Sequence, residues 1–287
     1  MASVLAVMTL ASSGSEAFRT ALVEDWLSLV PAVVFLIAAH FENRAPTRNF
    51  PFGFYRLNSL AFLIAAVALF GVGGILLLES AKTLLSGTHP TVPPMRILGH
   101  DIWGGWVMIA ALLYSIIPPV VLGRIKEPVA KRLHDKVLHT DALMQKADWM
   151  TGLAGIVGIV GIAYGLWWLD SAAAIFIAFD VVRDGLRSLR IAGAELIDGT
   201  PRALASDAIA DDAQAIEAWL HGRFPGAEVQ LRETGRYIRA AVVGVDRPAD
   251  FDPRAQEIPG LADRWRLDGV VFAPFTPGAR SRSPRPD

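Results

Sequence analysis

The stretch LAFLIAAVALFGVGGILLL, residues 60–78, contains neither a charged residue nor a histidine. Its length is close to the roughly 20 residues that an α-helix needs to cross the apolar core of a bilayer. Two further stretches, 102–123 and 149–169, are equally free of charge and slightly longer. These three runs predict transmembrane helices, and they place the chain among membrane proteins.

The composition agrees with this class. Of the 287 residues, 53% are hydrophobic and 19% are charged, and the mean hydropathy is +0.39, which is more apolar than an ordinary soluble domain. The formal net charge of -1 gives no basic excess that would indicate nucleic acid as a partner. There are no cysteines, so any metal must use carboxylate, imidazole, amide, backbone or thioether groups. The sequence contains no phosphate loop, cofactor fingerprint or convergent nucleophile and base, so we expect neither an enzyme nor a bound cofactor.

An earlier apolar run is too short to span a membrane by itself. Residues 26–39 carry no charge, but a helix of that length extends about 21 Å, less than the roughly 30 Å of a bilayer core. Basic residues and a proline follow at 44–48. The helix is therefore expected to extend back to about Thr20, which places Glu24 and Asp25 within the membrane or at its edge.

The run 149–169 is also too short once a turn is subtracted, because it has to supply both a membrane-spanning helix and the turn before the next helix. If the first of these two helices ends near Ala163, it begins near Ala142. Asp148 then lies inside the membrane, and the next helix occupies 167–188. The N-terminal run MASVLAVMTLAS is too short to span and lacks the basic region of a signal peptide. We interpret it as the remnant of a helix, giving five full spans and a fragment.

Lysine and arginine predict the orientation of these spans. They concentrate in the connections 42–56 and 124–139 and at the end of the last membrane helix, whereas the opposite connections are nearly bare. Positive residues favour the cytoplasmic side, so both connections and everything after residue 190 are expected to face the cytoplasm.

A second domain begins where the composition becomes that of a soluble protein, at about Glu195. The pattern predicts a helix around 206–222, two antiparallel strands in AEVQLRE and RYIRAAVVGV with Gly235 in the turn, a short helix near 253–264 and a strand in RLDGVVFAPF. This order suits a small two-layer α+β domain. We therefore expect a membrane domain at 1–192, a C-terminal domain at 193–275 and a disordered tail at 276–287.

Four segments resemble the cation diffusion facilitator (cation efflux) family: FPFGFYRLNSLAFLIAA, LLLESAK, HTDALMQKADWMTG and WLDSAAAIFIAF. The resemblance implies a bundle of six transmembrane helices, here with a truncated first helix, followed by a cytoplasmic ferredoxin-like α-β-β-α-β domain. It also implies a homodimer that exports a divalent metal ion against protons. The membrane expected for it is the bacterial inner membrane, with the lipid bilayer as its surroundings and no nucleic-acid partner.

The resemblance also implies a tetrahedral metal site between the second and fifth family helices. Asp25 and Asp148 match the aspartates of that site, whereas the ligand positions one turn earlier fall on Ala21 and Met144. Two of the four ligands implied are therefore present. The vacant positions are open to Glu24, Asp141, Ser28, the Met144 thioether or water.

A carboxylate at the centre of a bilayer costs about 2.5–3.5 kcal/mol on insertion scales, so Asp25 and Asp148 are expected to face the bundle interior. Desolvation and mutual repulsion favour protonated acids in the empty site, and an arriving divalent cation displaces those protons. The oxygen-rich ligand set suits manganese, iron(II), cobalt, nickel or even magnesium. Zinc is included because the family transports it.

Each of these residues also has a purely structural interpretation. That interpretation is an interfacial helix cap for Asp25, an ion pair with Arg19 for Glu24, core packing for Met144 and a solvated entrance for Asp141. Asp180 is predicted to pair with Arg183, three residues further on, unless it serves as a proton relay. Glycines at 152, 155, 158 and 161 predict close helix packing. For the whole chain, the competing hypothesis is a non-transporting membrane scaffold or interaction protein.

Overall fold

The computed structural model describes residues 16–42, 44–87, 94–97, 100–253 and 257–274, with the backbone alone at 16–25, 94–97 and 100–102. The predicted N-terminal remnant and the predicted disordered tail lie outside these residues. The chain divides into two compact units, Met1–Ala192 and Gly193–Asp287. The first unit contains α1 (Glu16–Glu42), α2 (Arg56–Ser86), β1 (Pro94–Ile97), β2 (His100–Trp103), α3 (Gly104–Leu133), α4 (Lys136–Ala163) and most of α5 (Leu169–Leu196). The second unit contains α6 (Asp211–Arg223), β3 (Glu228–Thr234), β4 (Tyr237–Val243), a 3₁₀ turn (Arg264–Arg266) and β5 (Leu267–Ala273).

The three charge-free runs lie in α2, α3 and α4, and these helices are long and apolar enough to span a membrane. The prediction that each of these runs forms a helix able to cross a membrane is confirmed. Within the described residues, α1 supplies a shorter apolar helix, Trp26–Glu42, and α5 carries charged residues through its second half. Spans in α1 and α5 therefore stay predictions.

Two helix starts differ from those predicted. Residues 102 and 103 belong to β2, which pairs with β1 in an antiparallel hairpin, so α3 begins at Gly104. α4 begins at Lys136 rather than near Ala142, because the Asp135 carboxylate caps it by accepting a hydrogen bond of 2.9 Å from the Leu138 amide.

Glycines bring the membrane helices close together. A Cβ atom on Gly152 would lie 2.7 Å from Ile116 of α3, closer than real Cβ contacts allow. On α2, a Cβ atom on Gly73 would lie 2.8 Å from the Val182 backbone nitrogen of α5. Small residues permit such approaches in membrane proteins. The close packing predicted for the glycines of α4 is confirmed.

Large apolar side chains are exposed along all five helices of the first unit, as is expected of surfaces in contact with lipid. The interior contains two apolar clusters. One joins α2, α4 and α5 around Leu69, Met144 and Val181, and the other lies around Phe62, Val137 and Ile191.

In the second unit, α6 packs on a three-stranded sheet of order β3-β4-β5. β3 and β4 are antiparallel, with Gly235 at φ 61° in the turn between them, and β4 and β5 are parallel. The predicted strands are confirmed. The α-helix predicted near 253–264 is wrong at 257–263, because Pro259 removes a backbone donor and Gly260 adopts φ 84°.

Candidate metal site and the polar face of α4

The helices that carry Asp25 and Asp148 are neighbours. α1 packs against α4, and Leu27 and Val30 of α1 contact the apolar cluster that contains Met144. Asp25 lies two residues before Leu27, and Asp148 lies one turn after Met144. Each of the two positions is therefore close in sequence to a residue that packs in or against this cluster. The side chains of Glu24 and Asp25 lie outside the described part of the chain.

Asp148 is partly buried on α4. Met144 is 0% exposed and packs among apolar side chains of α2 and α5. These surroundings agree with the interpretation of Met144 as a core residue. Among the described side chains, which begin at Trp26, no group of three or more histidines and acids is placed to hold a metal ion. Any metal site at Asp148 therefore has to draw ligands from the first part of α1, from water or from single oxygen donors.

Asp141 has a partner that the sequence did not suggest. Its side chain is 2% exposed and forms an ion pair of 2.5 Å between Oδ2 and Nζ of Lys126 on α3. The solvated position considered for Asp141 is therefore wrong. The residue lies in the interior, on the side of α4 that faces α3.

A polar stripe runs along this side of α4. Asp141, Gln145 and Asp148 stand at positions i, i+4 and i+7, which share one helical face. Gln145 is 4% exposed, and its Cβ packs beside Gly123 of α3. Among the described residues, Asp141 Oδ1 and Gln145 Oε1 are buried and have no hydrogen-bond partner.

Another side of α4, which faces α5, carries a second charged cluster. Nζ of Lys146 lies 2.7 Å from Asp180 Oδ2 and 3.5 Å from Asp184 Oδ2, both on α5. Asp184 also contacts Arg187 at 3.1 Å. The predicted partner of Asp180 was Arg183, and this prediction is wrong. Lys146 holds that carboxylate from another helix.

Sequence reasoning missed Lys126 and Lys146. Lys126 was assigned to a basic connection, but α3 continues through it to Leu133. Lys146 lies between two predicted ligand positions, Met144 and Asp148. A lysine within a membrane helix indicates an acidic partner on another helix, and here the partners are on α5. A cavity of about 500 Å³ lies between α3 and α4 on the Lys146 side, and its walls include His139 and Trp149.

The apolar helices and their interior polar side chains define an integral membrane protein whose membrane unit precedes a small α+β unit. The family model for the cation efflux transmembrane domain matches residues 1–197. The chain therefore belongs to the cation efflux family.

Curated relatives are distant. The chain is 23% identical to the manganese efflux system protein MneS of Bacillus subtilis over 61% of this chain and 59% of that protein. It is 25% identical to the zinc transporter ZitB of Pectobacterium atrosepticum over 62% of this chain and 52% of that protein. It is also 25% identical to a probable cation efflux system protein of Mycobacterium tuberculosis over 88% of this chain and 70% of that protein. The chain thus spans between half and three fifths of the length of the first two.

Proposed function

We propose that this protein exports a divalent metal cation from the cytoplasm in exchange for protons, through a carboxylate site formed by Asp25 and Asp148. The observation that supports the proposal is the packing of α1 against α4, with Leu27 of α1 against the apolar cluster that contains Met144 and Ala147. Membership of the cation efflux family supports the same function.

The chemistry follows from two acids in a region of low polarity. In the empty site both carboxyl groups hold protons, because two neighbouring negative charges away from water are unfavourable. A divalent cation binds as the two protons leave, so loading of the metal and release of protons are coupled. When the site opens to the other side, protons return to the carboxylates and the metal departs.

The ligand set favours a metal that accepts oxygen. Met144 is enclosed by apolar side chains, so its thioether is not among the ligands we propose, and two carboxylates, Glu24 and water remain. Such a set suits manganese or iron(II), cobalt and nickel better than zinc. We propose manganese as the first cation to test, in keeping with the name of the Bacillus relative.

We further propose that the second unit lies on the cytoplasmic side and that the protein is a homodimer in the bacterial inner membrane. The basic residues of 42–56 and 124–139 support this orientation. A cross-linking study of the full chain in membrane vesicles tests both statements.

The central experiment uses the full chain reconstituted in vesicles that contain a manganese-sensitive dye and carry a pH gradient. Wild type is expected to accumulate Mn²⁺ only with the gradient, and Asp25→Asn or Asp148→Asn is expected to reduce uptake to the level of empty vesicles. Asp180→Asn is the matched control, because it removes an acid from the neighbouring helix and should leave uptake in place. Unchanged uptake in the double variant Asp25→Asn/Asp148→Asn would refute the proposed site.

A non-transporting membrane scaffold is the second candidate, favoured by the absence of a three-ligand cluster among the described side chains. It predicts no gradient-dependent uptake of manganese, iron(II), cobalt, nickel or zinc by wild type, with the protein still folded and inserted.

A further inference from the structure

The polar stripe of α4 extends beyond Asp148 toward the first residue of the helix. At 1.5 Å per residue, Gln145 lies roughly 5 Å and Asp141 roughly 10 Å from Asp148 along the axis. In the predicted orientation this direction leads to the cytoplasm. A cation that approaches Asp148 from that side along α4 would pass Gln145 and Asp141.

One oxygen atom of Asp141 and one of Gln145 are candidates for binding a ligand. Among the described residues, Asp141 Oδ1 and Gln145 Oε1 are both buried without a hydrogen-bond partner, and their side chains stand one turn apart on one face. Leaving such a group unsatisfied costs about 1–3 kcal/mol, so buried oxygens of this kind normally have a partner such as water or an ion. A carboxylate and an amide oxygen are ligands that hard divalent cations prefer.

Lys126 holds the remaining oxygen of Asp141. Its ammonium lies 2.5 Å from Oδ2, and the Lys126 side chain keeps 22% of its surface exposed. A lysine stem is long and flexible and carries one compact charge at its end. The ammonium can therefore leave Asp141 for the surface, whereas Asp141 and Gln145 stay fixed within α4.

We propose that Asp141 and Gln145 form a second cation site on the cytoplasmic approach to Asp148, and that Lys126 occupies it until a divalent cation displaces the ammonium. This second cation site deepens the proposed function and rests on it for its place in transport. Lys126 then acts as a tethered competitor, so it sets the metal concentration at which the approach is filled.

Binding measurements test the second cation site without transport. The background is the full-length double variant Asp25→Asn/Asp148→Asn in lipid nanodiscs, and the probe is Mn²⁺ in equilibrium dialysis. If Lys126 leaves the site open in about one molecule in ten, Lys126→Met should lower the dissociation constant about tenfold. Addition of Asp141→Asn should then abolish this binding.

Lys131→Met is the matched control, since Lys131 lies on the same helix in an exposed pair with Glu127. It is expected to leave Mn²⁺ binding as in the background. Equal or weaker binding in Lys126→Met, or binding that survives Asp141→Asn, would overturn the inference. Failure of the proposed transport site is detected in a different experiment, the vesicle uptake measurement, as transport that persists in the double variant.

A second measurement needs no lysine substitution. The chain has five lysines, at 82, 126, 131, 136 and 146, so an amine-reactive reagent and mass spectrometry can follow each one. Mn²⁺ is expected to raise the labelling of Lys126 several-fold in wild type and in the double variant, and to leave Lys146 unchanged. Labelling of Lys126 that does not respond to Mn²⁺ in either protein would contradict displacement.

Discussion

Each of the two units contains a buried ion cluster, and the two clusters are built differently. In the second unit, Arg266 is 2% exposed and contacts Asp212 at 3.1 Å and Glu233 at 3.3 Å. It also donates to a backbone carbonyl. In the first unit, Lys126 makes one contact with Asp141, and the other oxygen of Asp141 has no hydrogen-bond partner among the described residues.

The difference separates a structural cluster from one that is able to exchange its cation. Arg266 joins the 3₁₀ turn to α6 through Asp212 and to β3 through Glu233, and its planar guanidinium matches several oxygens at once. Lys126, by contrast, leaves a buried oxygen unused and has a flexible stem that reaches the surface.

The largest effect is expected from Arg266→Met. The substitution leaves the buried Glu233 and the partly buried Asp212 without their shared cation, and loss of one partner from a buried ion pair costs about 3–5 kcal/mol. Hydrogen exchange of the full chain, read on the amides of β3, β4 and β5, measures this loss. Arg264→Met is the control, because Arg264 pairs with Glu257 at the surface and exposed pairs contribute about 0–1 kcal/mol. An equal loss of stability in Arg266→Met and Arg264→Met would show that Arg266 does not stabilise the second unit as proposed.

A smaller loss is expected from Lys126→Met, about 1–3 kcal/mol in the exchange of α3 and α4 amides, because Asp141 is able to take up a proton or another cation in place of the ammonium. Mn²⁺ should restore part of this loss, since a ligand that binds only the folded state stabilises it. Mn²⁺ should have no such effect on Arg266→Met. If Mn²⁺ does not restore the stability lost in Lys126→Met, the Lys126–Asp141 pair is a structural ion pair like the Arg266 cluster and does not exchange its cation.

The sequence predicted the parts of the fold that depend on one local property. Runs without charge identified α2, α3 and α4, and alternation identified β3 and β4. Helix starts were harder, because α4 begins at a cap, Asp135, inside a segment that looked like a basic connection. The helix predicted near 253–264 failed at 257–263, where Pro259 lacks a backbone donor and Gly260 adopts a positive φ.

The candidate site was less accessible to sequence reasoning. Periodicity shows which residues of α4 share a face, but not which helix that face meets. Asp180 was therefore assigned to Arg183, three residues away, although its partner Lys146 is 34 residues distant. The pairing of Asp25 with Asp148 stays a prediction, and the partner of Asp141 became visible only with α3 in place.

The smallest change in stability is expected from Gln145→Leu. Because Gln145 Oε1 has no hydrogen-bond partner within the described part of the chain, an apolar side chain of similar volume should be neutral to within about 0.5 kcal/mol, or stabilising. Asn58→Leu is the control, since this equally buried amide donates to Asp135 at 3.2 Å, and its loss should cost about 1–3 kcal/mol. Hydrogen exchange of α2 and α4 compares the two variants. A loss for Gln145→Leu as large as that for Asn58→Leu would mean that Gln145 supports the fold, and Asp141 would then be the sole ligand of the second cation site.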